Sequence, residues 1–349
     1  MIMKSLSKFV LLTLIFSVVA CKPAVNDNAK IGVMVPLTGY AAFTGELLKK
    51  GVELAKDSLN LSESNIEIIY DDNKTEGLAG ISAYKNLKRQ GVSFFLSGGA
   101  PSTMALAPLT KGKPEVLFAT AVNAKALTTV TDRALRLSPT GESMSAKLAD
   151  YNFDTLGIRK TVIAYVNLEM GKEFHDGYKA RFEELGGEVV ASLVYDAEQR
   201  DFKEIVNKIA AASPDAIYLV GVGESLSTIV RQLSVNPKTQ NIVLTGDFNF
   251  SSPVVINALK QHPADVYYTD IAVDPKFKVL YESTYNEPVN SYAAFAFSIM
   301  QIYKEVFQET KSPAEVYSKI ASHSFDCAIN NITFSEKGEP TFTIDYKHL

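Results

Sequence analysis

Short apolar runs alternate with stretches whose apolar residues recur every three or four positions, from residue 30 almost to the end of the chain. Residues 30–35, 66–70, 92–97 and 116–120 are brief, continuously apolar and rich in β-formers, which predicts strands buried on both faces. Between them, 45–58 carries Leu47, Leu48, Val52, Leu54 and Ala55 at helical spacing, and 80–90 predicts a second helix. The pattern restarts near residue 160: strands at 161–165, 189–194, 216–220, 242–245 and 266–269, with helices at 174–185 and 202–212. Gly186-Gly187 supplies a helix stop between the first helix and the strand after it. Such alternation is the signature of an α/β chain with parallel sheet. Two rounds of it predict two similar lobes rather than one large sheet.

The last quarter breaks the rhythm. A long helix at 292–307 and a shorter one at 313–322 precede two strand-like runs at 329–334 and 341–346. A segment of that mixture is able to complete both lobes in turn, although periodicity alone does not decide it.

The first 21 residues follow a different logic. A basic start (Lys4, Lys8), an apolar run from Phe9 to Ile15 too short to span a bilayer, and Val18-Val19-Ala20-Cys21 describe a secretory leader. Cysteine at the cut resembles the lipobox of bacterial lipoproteins, in which Cys21 is lipidated and becomes the new N-terminus. The alternative is an ordinary leader with a chance cysteine. The expectation is thus leader 1–20, lipidated tether 21–29, and an exported body held at a membrane, in the periplasm or on the cell surface.

Charge and cysteine content narrow the partners. The chain has 35 basic and 39 acidic side chains, and loss of Lys4 and Lys8 takes the formal balance from −4 to −6, with no basic patch to attract nucleic acid. With Cys21 lipidated only Cys327 remains, so no intrachain disulfide is available.

Enzyme motifs fail on inspection. Gly221-Val222-Gly223 follows a strand, but Leu226 stands where a dinucleotide fingerprint needs its third glycine. Ser227 replaces the closing glycine of a nucleophile elbow. Gly112-Lys113 has no glycine-rich loop before it, and the four histidines share no ligand spacing. The sequence predicts no enzyme, cofactor or metal. What remains is the loop Ser97-Gly98-Gly99-Ala100-Pro101-Ser102-Thr103, leaving the carboxyl end of a strand where open α/β sheets bind ligands. Glycines allow close backbone approach, and Ser102 sits where a helix would begin and an anion could bind. Equally, Ser102 could simply cap that helix.

Ile31-Gly32-Val33-Met34-Val35-Pro36-Leu37-Thr38-Gly39, then Ala41-Ala42, Gly45 and Gly51-Val52-Glu53-Leu54-Ala55, resembles the opening of the branched-chain amino-acid binding proteins. Asp71-Asp72, the Gly98–Ser102 loop, Ala121, Ala126-Leu127-Thr128, Gly171, Pro214-Asp215-Ala216-Ile217-Tyr218, Arg231-Gln232, Thr245-Gly246-Asp247 and Ile332-Thr333-Phe334 with Gly338 continue the likeness in order. These are type I periplasmic solute-binding proteins of ABC importers. The resemblance implies two doubly wound parallel-sheet lobes joined by three crossover segments, near 139–143, 271–274 and 325–328. The lobes would be 30–140 with 272–325, and 141–271 with 326–349. It implies capture of an amino acid or another small polar or carboxylated solute, and delivery to an ABC permease. Ser102 and the backbone around Ala100 and Thr103 would hold a carboxylate. The Ala121 carbonyl would take an ammonium, Asn123 would stand in for a threonine touching both groups, and Asp247 would close onto the ammonium from the second lobe. Thr44, Met170 and Val222 fall where the family often has aromatic rings, which predicts a cleft without an aromatic wall. Phe43, Phe248 and Phe250 are the substitutes within reach, with core packing the commoner use of each. A second reading keeps the fold but gives it a protein partner in the envelope, such as a cell-wall synthase.

Overall fold

A computed structural model describes residues 28–124 and 126–349. The leader, Cys21 and the tether as far as residue 27 lie outside the described residues. The strands, in chain order, are β1 (Ala29–Val35), β2 (Ile66–Asp72), β3 (Phe94–Gly98), β4 (Val116–Thr120), β5 (Ala134–Arg136), β6 (Lys160–Val166), β7 (Glu188–Tyr195), β8 (Ala216–Val220), β9 (Val243–Gly246), β10 (Val266–Ile271), β11 (Ser324–Cys327), β12 (Asn330–Thr333) and β13 (Ile344–His348). They form two main sheets. The first runs β2-β1-β3-β4-β5 and is parallel throughout. The second runs β13-β10-β9-β8-β6-β7, parallel except for β13, which lies antiparallel to β10. The pair β11-β12 makes a separate hairpin. The molecule is therefore α/β with two parallel-sheet lobes.

Helices cover the sheets because each turns an apolar stripe toward them. The helix Ala42–Ser58 buries Leu47, Leu48, Val52, Leu54 and Ala55. It crosses the helix Ser291–Phe307 at Gly51, where an added Cβ would lie 2.2 Å from the Ala293 carbonyl oxygen. The late helix is thereby fixed to the first lobe. Its Tyr303 hydroxyl donates to the Phe95 carbonyl (3.1 Å), and its ring lies 5.7 Å from that of Phe94 and 5.2 Å from that of Phe118.

The chain passes between lobes three times. After β5 it leads to the helix Gly141–Asp150, which packs on the helix Glu169–Glu184 of the second lobe. After β10 it leads to the helix Pro275–Tyr285 of the first, whose N-terminus Asp274 caps. The third passage departs from the expected 325–328. Beyond the hairpin, the turn at 335–339 stays on the first lobe: Arg136 N–H donates to the Gly338 carbonyl (2.9 Å) and its guanidinium pairs with Glu339 (3.0 Å). The crossing comes at 341–343, where Ala272 N–H donates to the Thr343 carbonyl (3.1 Å) before β13 joins β10. A buried arginine needs its carboxylate partner, and Arg136 holds the turn where it is.

Candidate ligand cleft

Loops at the carboxyl ends of both sheets line a cleft with a cavity of about 120 Å³. The first lobe contributes Pro36, Tyr40 and Ala41 after β1, Phe43 and Thr44 from the following helix, Thr75 after β2, Gly99, Ala100 and Pro101 after β3, and Ala121 and Asn123 after β4. The second contributes Leu168, Glu169 and Met170 after β6 and Val222 after β8. Tyr292, in the first turn of Ser291–Phe307, closes the base.

Asp72 and Asn73 build the first-lobe wall. Asp72 accepts hydrogen bonds from Leu37 N–H (2.9 Å), Lys74 N–H (2.9 Å) and the Thr38 hydroxyl (2.5 Å), tying the β1 and β2 loops together. Burial opposes its charge, but these donors outweigh burial and hold its pKa below the usual carboxylate value. Asn73 is buried and bridges the Met34 and Gly98 carbonyls (2.9 and 2.7 Å), while its own carbonyl receives Thr75 N–H (3.0 Å). That arrangement holds Thr75 at φ 59°, a conformation that is costly for a β-branched residue. Its hydroxyl is buried and has no hydrogen-bond partner among the described residues.

Of the residues singled out in the sequence, Thr44, Ala100, Ala121, Asn123, Met170 and Val222 line the cavity together. Ala121 does so at φ 52°, and Asn123 donates its amide to the Pro139 carbonyl (2.8 Å), leaving its side-chain oxygen for other partners. Ser102 and Thr103 are elsewhere. The helix begins at Ala100, two residues earlier than expected, with Gly99 as its cap at φ 95°. Two residues are roughly 200° of helical rotation, and Ser102 accordingly turns toward the helix Gly77–Arg89. There an added Cβ on Gly80 would lie 2.8 Å from Ser102 Cβ. Its hydroxyl donates to the Gly99 carbonyl (3.1 Å). Thr103 exchanges a hydrogen bond with Ser97 (2.7 Å).

Asp247 also stands outside the lining. It is fully buried, and its Oδ1 accepts Asn249 N–H (2.8 Å) and the Asn249 side-chain amide (2.5 Å). Oδ2 has no hydrogen-bond partner among the described residues. Burial raises its pKa to about 7 against the Asn249 donors, with Asp270 adding in the same direction. It reaches the cavity wall through a relay, because Tyr292 donates its hydroxyl to the Asn249 side-chain oxygen (2.7 Å). Alongside, Asp270 accepts from Ser251 of the second lobe and Ser291 of the first. The lobes are latched at this point by side chains.

The expectation of a cleft without an aromatic wall is overturned. Tyr40, Phe43 and Tyr292 supply three rings. Phe248 and Phe250 do not: both are buried, Phe248 beside Phe174 and Tyr292 and Phe250 beside Tyr268. Sequence reading missed Tyr40, Thr75, Glu169 and Tyr292. Tyr292 was legible only as the start of a core helix, and Thr75 carries no signal except a backbone angle. Among the described residues, no group of three or more His, Cys, Asp or Glu side chains could hold a metal ion, and no helix is long and apolar enough to cross a membrane.

Comparison with known proteins agrees with this architecture. The protein family described as "Periplasmic binding protein" matches residues 28–343. The Leu/Ile/Val-binding protein homolog 3 of Brucella melitensis biotype 1 is 23% identical over 343 residues, spanning 92% of each chain. Among solved structures, the branched-chain amino acid transporter substrate-binding protein LivJ of Streptococcus pneumoniae, in complex with isoleucine, superposes with a TM-score of 0.83 at 20% identity, covering 91% of this chain and 95% of LivJ. A solute-binding protein of an ABC transporter from Rhodopseudomonas palustris BisB5, in complex with 3,4-dihydroxybenzoic acid, gives 0.84 at 18% identity, covering 92% and 93%. A match across nearly the whole described chain, on a fold whose strand-end loops line a cleft and which works by binding rather than catalysis, places this protein in the periplasmic binding protein family.

Proposed function

We propose that the protein is an extracytoplasmic solute-binding lipoprotein: it captures a small carboxylated solute between its lobes and presents it to an ABC importer. The observation that carries this reading is the cleft lined from both sheets at their carboxyl ends. Relatives bound to isoleucine and to a hydroxylated benzoic acid frame the solute class, an amino acid or an aromatic acid. Thr44, Thr75, Asn123 and the Ala121 carbonyl are the polar groups we assign to the head of the solute, with Ala100 offering backbone. Met170 and Val222 face its apolar part beside the rings. Ser102, Thr103 and Asp247 act behind this shell: Ser102 and Thr103 brace the loop, and Asp247 braces Tyr292 through Asn249.

The lobes that would close as units are 28–137 with 275–340, and 141–271 with 344–349, by hinge motion at the three passages. Cys21 would carry the lipid that holds the receptor near the permease. The deciding experiment is calorimetric titration with leucine, isoleucine and benzoates. Saturable binding that Asn123→Ala weakens supports the reading, and a folded protein that binds none of them overturns it. For the anchor, the intact protein from a bacterial host should carry the mass of a lipid, and Cys21→Ser should abolish it.

A further inference from the structure

The cavity is small for the solute it is meant to hold. Ligand sites usually span roughly 300–1,000 Å³, while about 120 Å³ is near the ~150 Å³ that accepts one benzene ring. A second chamber of about 570 Å³ adjoins it, sharing Tyr40, Phe43 and Val222 as common wall. The waist between them is Phe43 against Gly223. That glycine has φ 57°, and a Cβ there would lie 3.0 Å from the Phe43 ring, so the ring rests on the Gly223 backbone as the wall between the chambers, and any larger residue would pin it there. The two chambers also differ in charge. Inside, among the described residues, Glu169 is the single charged side chain in the lining and no cation joins it. Outside stand Arg200, Glu198 and Glu224. Glu224 is paired with Arg231 (3.5 Å), whereas the Arg200 guanidinium makes one hydrogen bond, to the Gln199 carbonyl (2.9 Å), and no ion pair among the described residues.

We propose that the cleft takes an elongated, two-headed solute, with one polar head on Thr44, Thr75 and Asn123, an apolar middle passing Phe43, and a second carboxylate outside on Arg200. This rests on the solute-binding reading and specifies its substrate. Among the described residues a second carboxylate has no cation to meet in the inner chamber, and guanidinium–carboxylate recognition is the strongest contact the outer one offers. Amino acids extended by a terminal carboxyl group fit the description.

The test is a calorimetric series: 2-amino dicarboxylates of increasing length, from aspartate to 2-aminosuberate, beside monocarboxylate amino acids of matching length, with leucine and benzoate as short references. Affinity should climb with length for the dicarboxylates alone, by roughly tenfold or more, the scale of one charge-assisted hydrogen bond. Arg200→Ala should erase the climb, and Arg200→Glu should shift preference to solutes ending in an amine. Leucine or benzoate binding with no gain from a second carboxylate overturns this inference and leaves solute capture standing. So does an Arg200→Ala loss that is equal for every probe. Binding of none of the probes overturns both.

Discussion

Asp247 and Thr75 each hold an oxygen without a hydrogen-bond partner among the described residues, with opposite consequences. For Asp247 the folded pKa of about 7 lies above the ordinary 3.8, so the native state binds more protons between those values. Its contribution to stability is complete below pH 3.8 and is lost as pH rises through about 7. Asp270, buried and also raised, acts in the same direction. Asp247→Asn keeps an oxygen for the Asn249 donors and removes the charge. It should flatten this slope and stabilise the protein by about 1–3 kcal/mol at pH 8, a scale set by the usual cost of a buried unmet polar group. Urea unfolding at pH 5 and pH 8 reads this out, and a variant with wild-type slope would refute it. Thr75→Val preserves size and branching at the same strained angle and deletes only the hydroxyl. Solute affinity should fall by about 1–3 kcal/mol while the melting temperature holds or rises. A loss of stability without loss of affinity would assign Thr75 to the scaffold instead.

At the scale of elements, glycines decide how closely the layers approach. Gly51→Val would drive a side chain into the Ala293 carbonyl, where helix Ser291–Phe307 rests on helix Ala42–Ser58. Overpacking of this kind typically costs about 1–3 kcal/mol, and the melting temperature should drop accordingly, with increased proteolysis near residue 291. The same scale separates what the sequence revealed from what it hid. β4 and β8 are continuously apolar and flanked by turn residues, and their predicted limits match the observed ones. β5 has three residues, too few for any period to register. The helix Gly223–Val235 opens with Gly-Glu-Ser, which reads as a failed motif before it reads as a helix start. In the site, the family resemblance, not any local pattern, singled out Thr44, Ala100, Ala121, Asn123, Met170 and Val222, which line the cavity. The phase of the helix Ala100–Leu106 was beyond reach, because a two-residue shift in its start swings Ser102 from the cleft to the core. The wall ring Tyr292 arrives from a helix more than 160 residues after the first-lobe loops it joins, a pairing no local pattern contains.

For the whole molecule, the relay Tyr292–Asn249–Asp247 and the clasp Ser291–Asp270–Ser251 join the lobes directly below the cavity. In the proposed hinge motion these contacts lie across the joint, and opening the cleft would strain them. Tyr292→Phe leaves the ring in the wall and removes the hydroxyl. The unliganded protein should then populate more of the open form, seen as a larger radius of gyration in small-angle scattering and a weaker apparent affinity. Equal radii for both proteins would mean that the relay does not govern closure. The chain has no tryptophan, so the tyrosines at the cavity offer an intrinsic fluorescence signal for the same titration.

The helix Ser291–Phe307 has a further consequence, for biogenesis. It fills the aromatic heart of the first lobe yet is made long after that lobe's five strands, and β13 reaches the second sheet later still. Neither lobe is a contiguous stretch of polypeptide, and closing such long loops is slow. A nascent chain therefore stays pliable until its synthesis is nearly over, the state in which a translocation channel can thread it. A chain ending at residue 274 should remain collapsed and dye-binding, with Phe94 and Phe118 uncovered; a cooperative melt from that fragment would show that the early strands lock without the late helix.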